Sequence, residues 1–463
     1  MKKNIFRSSS APELVLVLIL VAALILGGSG RDDVTSLIVL RPISMLALAV
    51  ALCFLPRAVW QRNKALLTCA FAAVLLVALQ LVPLPPAIWH ALPGRDFVVA
   101  IDRAAGMPDI WRPVSLVPYR TANALMALAL PVAVLLLALT IERERHYRIA
   151  LLLLAGVFAS ALFGLLQIIG GEGNPFYLYR ITNDGSAVGL FANRNHHSVA
   201  LAMGFPLTAA LVAMTMRRNE ENSGALQWGG LAFAALLLPS LLVAQSRAGV
   251  LMGLVGLASV PFILKISPLQ IAAGLGGRGV KWKMGLALAA LVAVAFLTVQ
   301  MTAFNSFDRL FASASGSEAS LRFNTWPAAI RLAMESLPFG TGMGSFVEAY
   351  RVVEPDFMLR PQYMNHAHND LIELFLTGGL PAMLLLAVSL VVVVRGYFRG
   401  SSEDRSGTSL MFRRLGAVLL LLVFLASCYD YPLRTPLMAA IFSLALTWTA
   451  GRSVGDQSSG ERR

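Results

Sequence analysis

Residues 363–382 read YMNHAHNDLIELFLTGGLPA, and the fold turns on how a polar run becomes an apolar helix there. Before Leu371 the stretch sets out His366, His368, Asn369 and Asp370, all able to hydrogen-bond or titrate. Residues 371–394 then form an apolar run long enough to cross a bilayer, which takes about 20 residues. Ionisable groups at a membrane mouth are a functional hypothesis by default, because taking them out of water is costly. The plainer alternative is that Asn369 or Asp370 only caps the helix while the histidines hydrate among lipid headgroups.

Working outward from that stretch, the rest of the chain is of the same kind. It has 463 residues, 57% of them hydrophobic and 14% charged. With a mean hydropathy of +0.70, that composition excludes a soluble globule. Further apolar runs cover residues 14–26, 36–55, 65–84, 121–140, 149–169, 198–216, 228–243, 250–264, 284–301, 415–425 and 437–449. The expected fold is all-α: a polytopic membrane protein of about twelve transmembrane helices with a large outer loop before the tenth. Three regions are expected. Residues 1–190 hold the first five helices with an outer segment at 85–120, residues 191–450 form a transmembrane core with an outer loop at 303–370, and residues 451–463 make a polar, disordered tail.

Charge sets an expected orientation, because Lys and Arg are retained on the cytoplasmic side. With the N-terminal MKKNIFR inside and each run crossing once, the inner segments carry 23 Lys and Arg against 9 Asp and Glu. The outer segments carry 14 against 16, Arg41 within the second run supplies the one remaining positive charge, and both termini fall inside. The net charge of +13 is therefore explained by basic inner loops beside anionic lipid, and nucleic acid is not an expected partner. The basic, then apolar, N-terminus lacks a small-x-small cleavage site and reads as an uncleaved anchor. Cys53, Cys69 and Cys428 have no paired or metal-type spacing and read as packing residues.

The outer segments hold the candidate chemistry. Arg194, Asn195, His196 and His197 open a helix, where free amides and the helix dipole favour an anion, although capping with headgroup contact is an equal alternative. Ser246 and Arg247 sit at the mouth of a tight helical hairpin. There the guanidinium either snorkels to lipid phosphate or grips a ligand phosphate bidentately. Arg322 precedes a short helix expected to start at Pro327, with Trp326, Ile330 and Met334 on one face. Gly340, Gly342 and Gly344 read as a hinge. Arg41 reads as a snorkelling anchor, residues 85–120 as a lid or brace with tryptophans at the headgroup level, and Asp430 with Arg434 as an internal ion pair.

Arg194, Arg247, Arg322, His366, His368, Asp430 and Arg434 thus fall on one face from separate segments. Arginines there suit a lipid diphosphate, and a neutral histidine suits removal of a proton from an attacking hydroxyl. The His366-x-His368 spacing could also begin a zinc site, but no third ligand is evident, so no metal is expected.

HAHNDLIELFLTGGLPA, together with SRAGVL, GLFANRNHHS, RFNTW with its PFGTGMGSF continuation, and DYPLRTP, resembles the O-antigen ligase and polymerase superfamily of bacterial envelope proteins. The resemblance covers roughly residues 189–436. It implies a metal-independent glycosyltransferase of the bacterial inner membrane, working at the periplasmic face without a cofactor. The implied donor is an undecaprenyl-diphosphate-linked glycan, and the acceptor is a hydroxyl of lipid A core, a growing glycan or a protein. By the same resemblance His368 is the base and Arg247 holds the diphosphate. Arg194 or Arg322 is then a second grip, with His366, Asn369, Asp430 and Arg434 in support. Ala382 departs from the family pattern, which often has glycine there, and the extra His366 leaves two candidates for the base. A polysaccharide polymerase, a protein O-oligosaccharyltransferase and, from another class, a solute transporter or flippase are the alternatives. A transporter should instead place its polar groups near the bilayer midplane.

Overall fold

The computed structural model describes residues 11–218, 223–265, 318–359, 363–403 and 407–453. Among them, six helices are long and apolar enough to cross a membrane. These lie at Pro118–Thr140, Arg143–Gly170, Arg194–Met216, Arg247–Leu264, Asp370–Gly400 and Gly407–Ser427. Five shorter apolar helices join them, at Ala11–Leu26, Leu37–Cys53, Lys64–Leu79, Trp228–Val243 and Pro436–Ala450. Every apolar run of the sequence is thus helical over most of its length except 284–301, which lies outside the described residues. Helix is what an apolar run must form where the backbone has no water to bond, because its amides are then satisfied within the segment.

Two helices make the centre. Ala129–Thr140 is buried all round, from Ala133 to Leu139 without a break. A helix apolar on every face belongs inside a bundle. The Arg194–Arg218 helix is the second, and its small residues let neighbours come close: a Cβ on Gly256 would stand 2.4 Å from the carbonyl oxygen of Ala202. Association inside a bilayer relies on such contact, since lipid tails are as apolar as the side chains. The Asp370–Glu403 helix is peripheral and turns Leu384, Leu390 and Phe398 outward.

Polar contacts collect at the two ends of the bundle. At one end Glu13 binds Arg145 at 2.7 Å and Arg148 at 3.0 Å, and Asn63 donates to the Arg452 carbonyl at 3.0 Å. At the other end lie the segments that carry the candidate residues. Leu437 N–H donates to the Gly27 carbonyl at 3.0 Å and Ala192 N–H to that of Gly28 at 3.1 Å, so the turn after the first helix is tied to the starts of two later ones.

The Asp370–Glu403 helix is broken at Gly379, whose φ of 61° and ψ of −157° lie outside the helical region. Pro381 follows and has no N–H to give. The groups freed by the break are met by the glycine-rich turn. Thr341 and Gly342 N–H donate to the carbonyls of Leu376 and Thr377, both at 2.9 Å, and Leu380 N–H donates to the Pro338 carbonyl at 2.8 Å. The expected hinge at Gly340, Gly342 and Gly344 is therefore a packed joint. A Cβ on Gly340 would meet the Leu376 carbonyl oxygen at 2.7 Å, and one on Gly342 would meet Ser115 Oγ at 2.3 Å. Glycine is required there for close approach at positive φ.

Residues 85–120 brace that joint. Two short helices, Pro86–Trp89 and Asp96–Ala104, lie between the strands of a two-residue antiparallel pairing of Pro83–Leu84 with Arg112–Pro113. Arg95 is buried and donates to the carbonyls of Pro93, Val114 and Gly340 at 2.9, 2.7 and 2.8 Å. Trp89, expected at the headgroups, is instead 1% exposed and donates to the Pro113 carbonyl at 2.8 Å. Trp111 is exposed.

The helix expected to start at Pro327 runs from Glu318 to Glu335 with Pro327 inside it. Proline costs that helix one hydrogen bond, and the tertiary contacts around it offset the loss. Thr325, Ala328, Ala329 and Ala333 are buried, and Trp326 Nε1–H donates to the Ala367 carbonyl at 2.9 Å. Ile330 and Met334 are exposed beside Trp326.

Candidate active site

Asn369 starts the Asp370–Glu403 helix. Its Oδ1 accepts from Leu371 N–H at 3.0 Å and Ile372 N–H at 3.1 Å, the arrangement of a helix cap. Its Nδ2 donates to the Cys428 carbonyl at 3.1 Å, fastening this start to the end of the Gly407–Ser427 helix. The residue before it, His368, has a φ of 49°. That conformation is uncommon for a residue with a Cβ and turns the imidazole toward the 428–434 segment.

Two histidine–carboxylate pairs result, one on each side of Tyr431. His368 Nδ1 lies 3.0 Å from Asp430 Oδ1. Asp430 is 3% exposed, and its other oxygen accepts from Asn195 Nδ2 at 2.5 Å and Asn193 Nδ2 at 3.3 Å. Asn195 Oδ1 in turn accepts from Ser246 Oγ at 2.8 Å, and Ser246 caps the Arg247–Ala258 helix by accepting from Gly249 N–H at 2.9 Å. A continuous polar chain therefore runs from His368 to the residue next to Arg247. His196 is buried beside it, with Nε2 3.9 Å from Asp430 Oδ1.

On the other side, His366 Nδ1 lies 3.0 Å from Glu373 Oε1, and Glu373 Oε2 accepts from Ala367 N–H at 3.0 Å. Arg434 reaches Glu373 at 3.3 Å and Asp370 at 3.5 Å, while Ser427 Oγ donates to Asp370 at 2.9 Å. Burial works against the charge of Arg434, but Glu373 and Asp370 outweigh it and raise the guanidinium above its ordinary value. The expected Asp430–Arg434 pair is thus not formed: Arg434 takes the two carboxylates of the Asp370 helix, and Asp430 takes His368. Tyr431, between them, is ringed by imidazoles, with centroids 4.2 Å from His366, 4.9 Å from His368 and 5.0 Å from His196.

The remaining candidates lie farther out. Arg247 is exposed at the start of its helix, next to the capping Ser246. Arg194 is half-buried, with Nη1 3.5 Å from Ser186 Oγ. The first amides of its helix are already engaged. Asn183 Oδ1 accepts from Arg194 N–H at 3.0 Å and Asn193 Oδ1 from Asn195 N–H at 2.8 Å, so the anion site expected there is largely capped from within. His197 is buried against Ser160 Oγ at 2.9 Å, a packing role. The backbone of Arg322 lies in the Glu318–Glu335 helix and its side chain lies outside the described residues.

A cavity of about 250 Å³ opens on the His366 side, lined by Arg31, Arg41, Arg120, Tyr363, Glu373 and Arg434 among others. His368 and Arg247 do not line it. Among the described residues no group of three or more His, Cys, Asp or Glu is placed to hold a metal ion.

The sequence does not single out Glu373 or Tyr431, although Glu373 stands on the first turn of the helix the histidines precede. Asn195 and Ser246 are legible as parts of a helix opening and a hairpin mouth, and only the fold brings them to Asp430 and the histidines.

Residues 232–387 match the family model described as O-antigen ligase. That stretch is similar to the O-antigen ligase family. The match holds Arg247, His366, His368, Asn369 and Glu373, and ends short of Asp430 and Arg434, which complete the two pairs from outside it. No curated protein matches the chain. The helices of spanning length and apolar composition suit a multi-pass membrane protein, and residues 232–387 are the part that is similar to the O-antigen ligase family.

Proposed function

We propose that this protein transfers a glycan from an undecaprenyl-diphosphate carrier to an acceptor hydroxyl at the periplasmic face of the bacterial inner membrane, with both termini cytoplasmic. The observation that carries this reading is the polar chain from His368 through Asp430, Asn195 and Ser246 to the helix that begins at Arg247. A proton acceptor and a phosphate-binding cation stand at the same end of the bundle, held by one network.

The chemistry follows from the hydrogen-bonding partners. A carboxylate only accepts, so Nδ1 of His368 carries the proton that Asp430 receives, and Nε2 of the neutral ring carries the lone pair. The acceptor oxygen attacks the anomeric carbon as its proton passes to Nε2. The bond from that carbon to the diphosphate oxygen breaks, and the electron pair leaves with the lipid diphosphate. Arg247, planar and always charged, offsets the charge growing on that leaving group, with Arg194 or Arg322 as a second contact. Asp430 orients the ring and favours the imidazolium it becomes.

His366 is less suited to be the base. Its Nδ1 faces Glu373 at 3.0 Å and its Nε2 faces the Gly30 carbonyl at 3.4 Å, and both neighbours are acceptors. Polar groups gathered at one end of the bundle also favour surface catalysis over transport, which uses sites near the midplane. Lipid A core, a growing glycan and a protein hydroxyl remain as acceptor classes, with polymerase and protein O-glycosylation as the corresponding second readings.

The test is transfer by the purified chain in liposomes supplied with an undecaprenyl-diphosphate-linked glycan and each acceptor class in turn. Transfer to one acceptor, lost in His368→Ala while the protein still inserts and folds, is the expected result. Full transfer by His368→Ala would refute the assignment of the base.

A further inference from the structure

The cavity beside His366 has a chemistry that the transfer step above leaves unused. Its lining is polar in part, with Arg31, Arg120 and Tyr363, and apolar in part, with Leu40, Leu128 and Leu130. Arg41 also lines it, one turn into the Leu37–Cys53 helix.

Three of the four cavity arginines are matched by carboxylates. Arg31 donates to Asp33 at 2.9 and 2.8 Å, Arg120 pairs with Asp32 and, at 2.8 Å, with Glu348, and Arg434 takes Glu373 and Asp370. Arg41 has no hydrogen bond or ion pair with any described residue, and its Nε is buried without a partner. The carboxylate whose field reaches it, Asp32, is already engaged by Arg120. A guanidinium does not give up its proton at neutral pH, so one that is partly buried with no partner of its own calls for an anion.

The place of Arg41 also says where that anion comes from. It is shared between the cavity and a groove formed with Val34, Ile38 and Pro42, whose two carboxylates, Asp32 and Asp33, are already paired with Arg120 and Arg31. Ile38 is 75% exposed there, on a helix apolar enough to face lipid. A charged head at Arg41 and an apolar tail along Ile38 describe one amphiphile entering sideways from the bilayer.

We propose that Arg41 is the anion-holding residue of a second lipid site, which draws a phosphate-bearing amphiphile from the bilayer and presents its head to the cavity beside His366. This deepens the transferase reading by giving a second lipid its own place, apart from the diphosphate at Arg247.

Binding is measured without glycan transfer, so failure of one reading is separable from failure of the other. The purified full chain is titrated in detergent with dioleoyl phosphatidic acid, with dioleoylglycerol and with inorganic phosphate, and retained ligand is counted by native mass spectrometry. One phosphatidic acid should be retained, dioleoylglycerol should not, and inorganic phosphate should bind far more weakly than phosphatidic acid. Arg41→Gln should weaken phosphatidic acid at least about tenfold, as loss of one charge-assisted contact implies. Arg41→Lys should restore most of it, and the same contrast should persist in an Arg247→Gln background, where the diphosphate contact is gone. Equal affinity with and without Arg41→Gln in that background would overturn the site. Inorganic phosphate binding as tightly as phosphatidic acid would overturn its lipid character. A photoreactive residue at the exposed Ile38, in an otherwise wild-type chain, gives an answer that does not depend on how Arg41→Gln folds. Labelling suppressed by phosphatidic acid and not by dioleoylglycerol is expected, and equal suppression by both would overturn the proposal.

Discussion

The two histidine–carboxylate pairs around Tyr431 are chemically alike and built in opposite ways. His366 and Glu373 are seven residues apart, on either side of one helix start. His368 and Asp430 are 62 residues apart, and the links from Asp430 to Asn195 and from Asn195 to Ser246 span 235 and 51 more. The first pair is closed on itself by Arg434 and the Ala367 amide. The second continues into other helices and ends beside Arg247. A local pair can hold a loop in shape, whereas a pair assembled from four distant segments reports what the fold was selected to bring together.

Substitutions separate the two. The largest effect is expected for His368→Ala, where loss of a general base should lower the transfer rate by about 10² to 10⁴ with insertion intact, measured in reconstituted liposomes. Glu373→Ala should act on stability instead. It strips His366 and Arg434 of a carboxylate that is 1% exposed, and breaking such a buried pair costs about 3 to 5 kcal/mol, read as a lower thermal midpoint in detergent. If Glu373→Ala left stability untouched and removed only transfer, the roles of the two pairs would have to be exchanged. Arg247→Lys should weaken use of the lipid diphosphate by about tenfold or more, because an ammonium cannot reproduce bidentate contact. Unchanged dependence of rate on donor concentration would count against it. Asn369→Ala is the smallest, about 1 kcal/mol of stability from a lost cap, with transfer lowered only as far as His368 is released.

The same contrast explains how much could be read from the chain. Apolar runs mark helices because backbone bonding in lipid leaves few other choices, and the described helices follow those runs closely. HAHND was legible as a site because its polar residues adjoin one another just ahead of an apolar run. Asn195 and Ser246 read only as a helix opening and a hairpin mouth, since nothing local to either reports that Asp430 lies between them and His368. The pairing of Arg434 differs from the sequence expectation for the same reason: Asp430 is its near neighbour in sequence, but the fold offers it Asp370 and Glu373. By sequence Arg41 reads as an anchor, and its lack of a partner stands out only against the partnered Arg31 and Arg120. The glycines of GTGMG signal positive φ, yet the broken helix they seal is 35 residues away and leaves no trace in their own spacing.

The central claim is that Asp430 acts through His368, and a double-mutant cycle on the rate of transfer tests it most directly. His368→Ala, Asp430→Asn and the double variant are compared at saturating donor and acceptor. If the two act as one unit, the double variant should be no slower than His368→Ala alone, and Asp430→Asn should lower kcat with little change in KM. Rate losses that multiply independently would contradict the account.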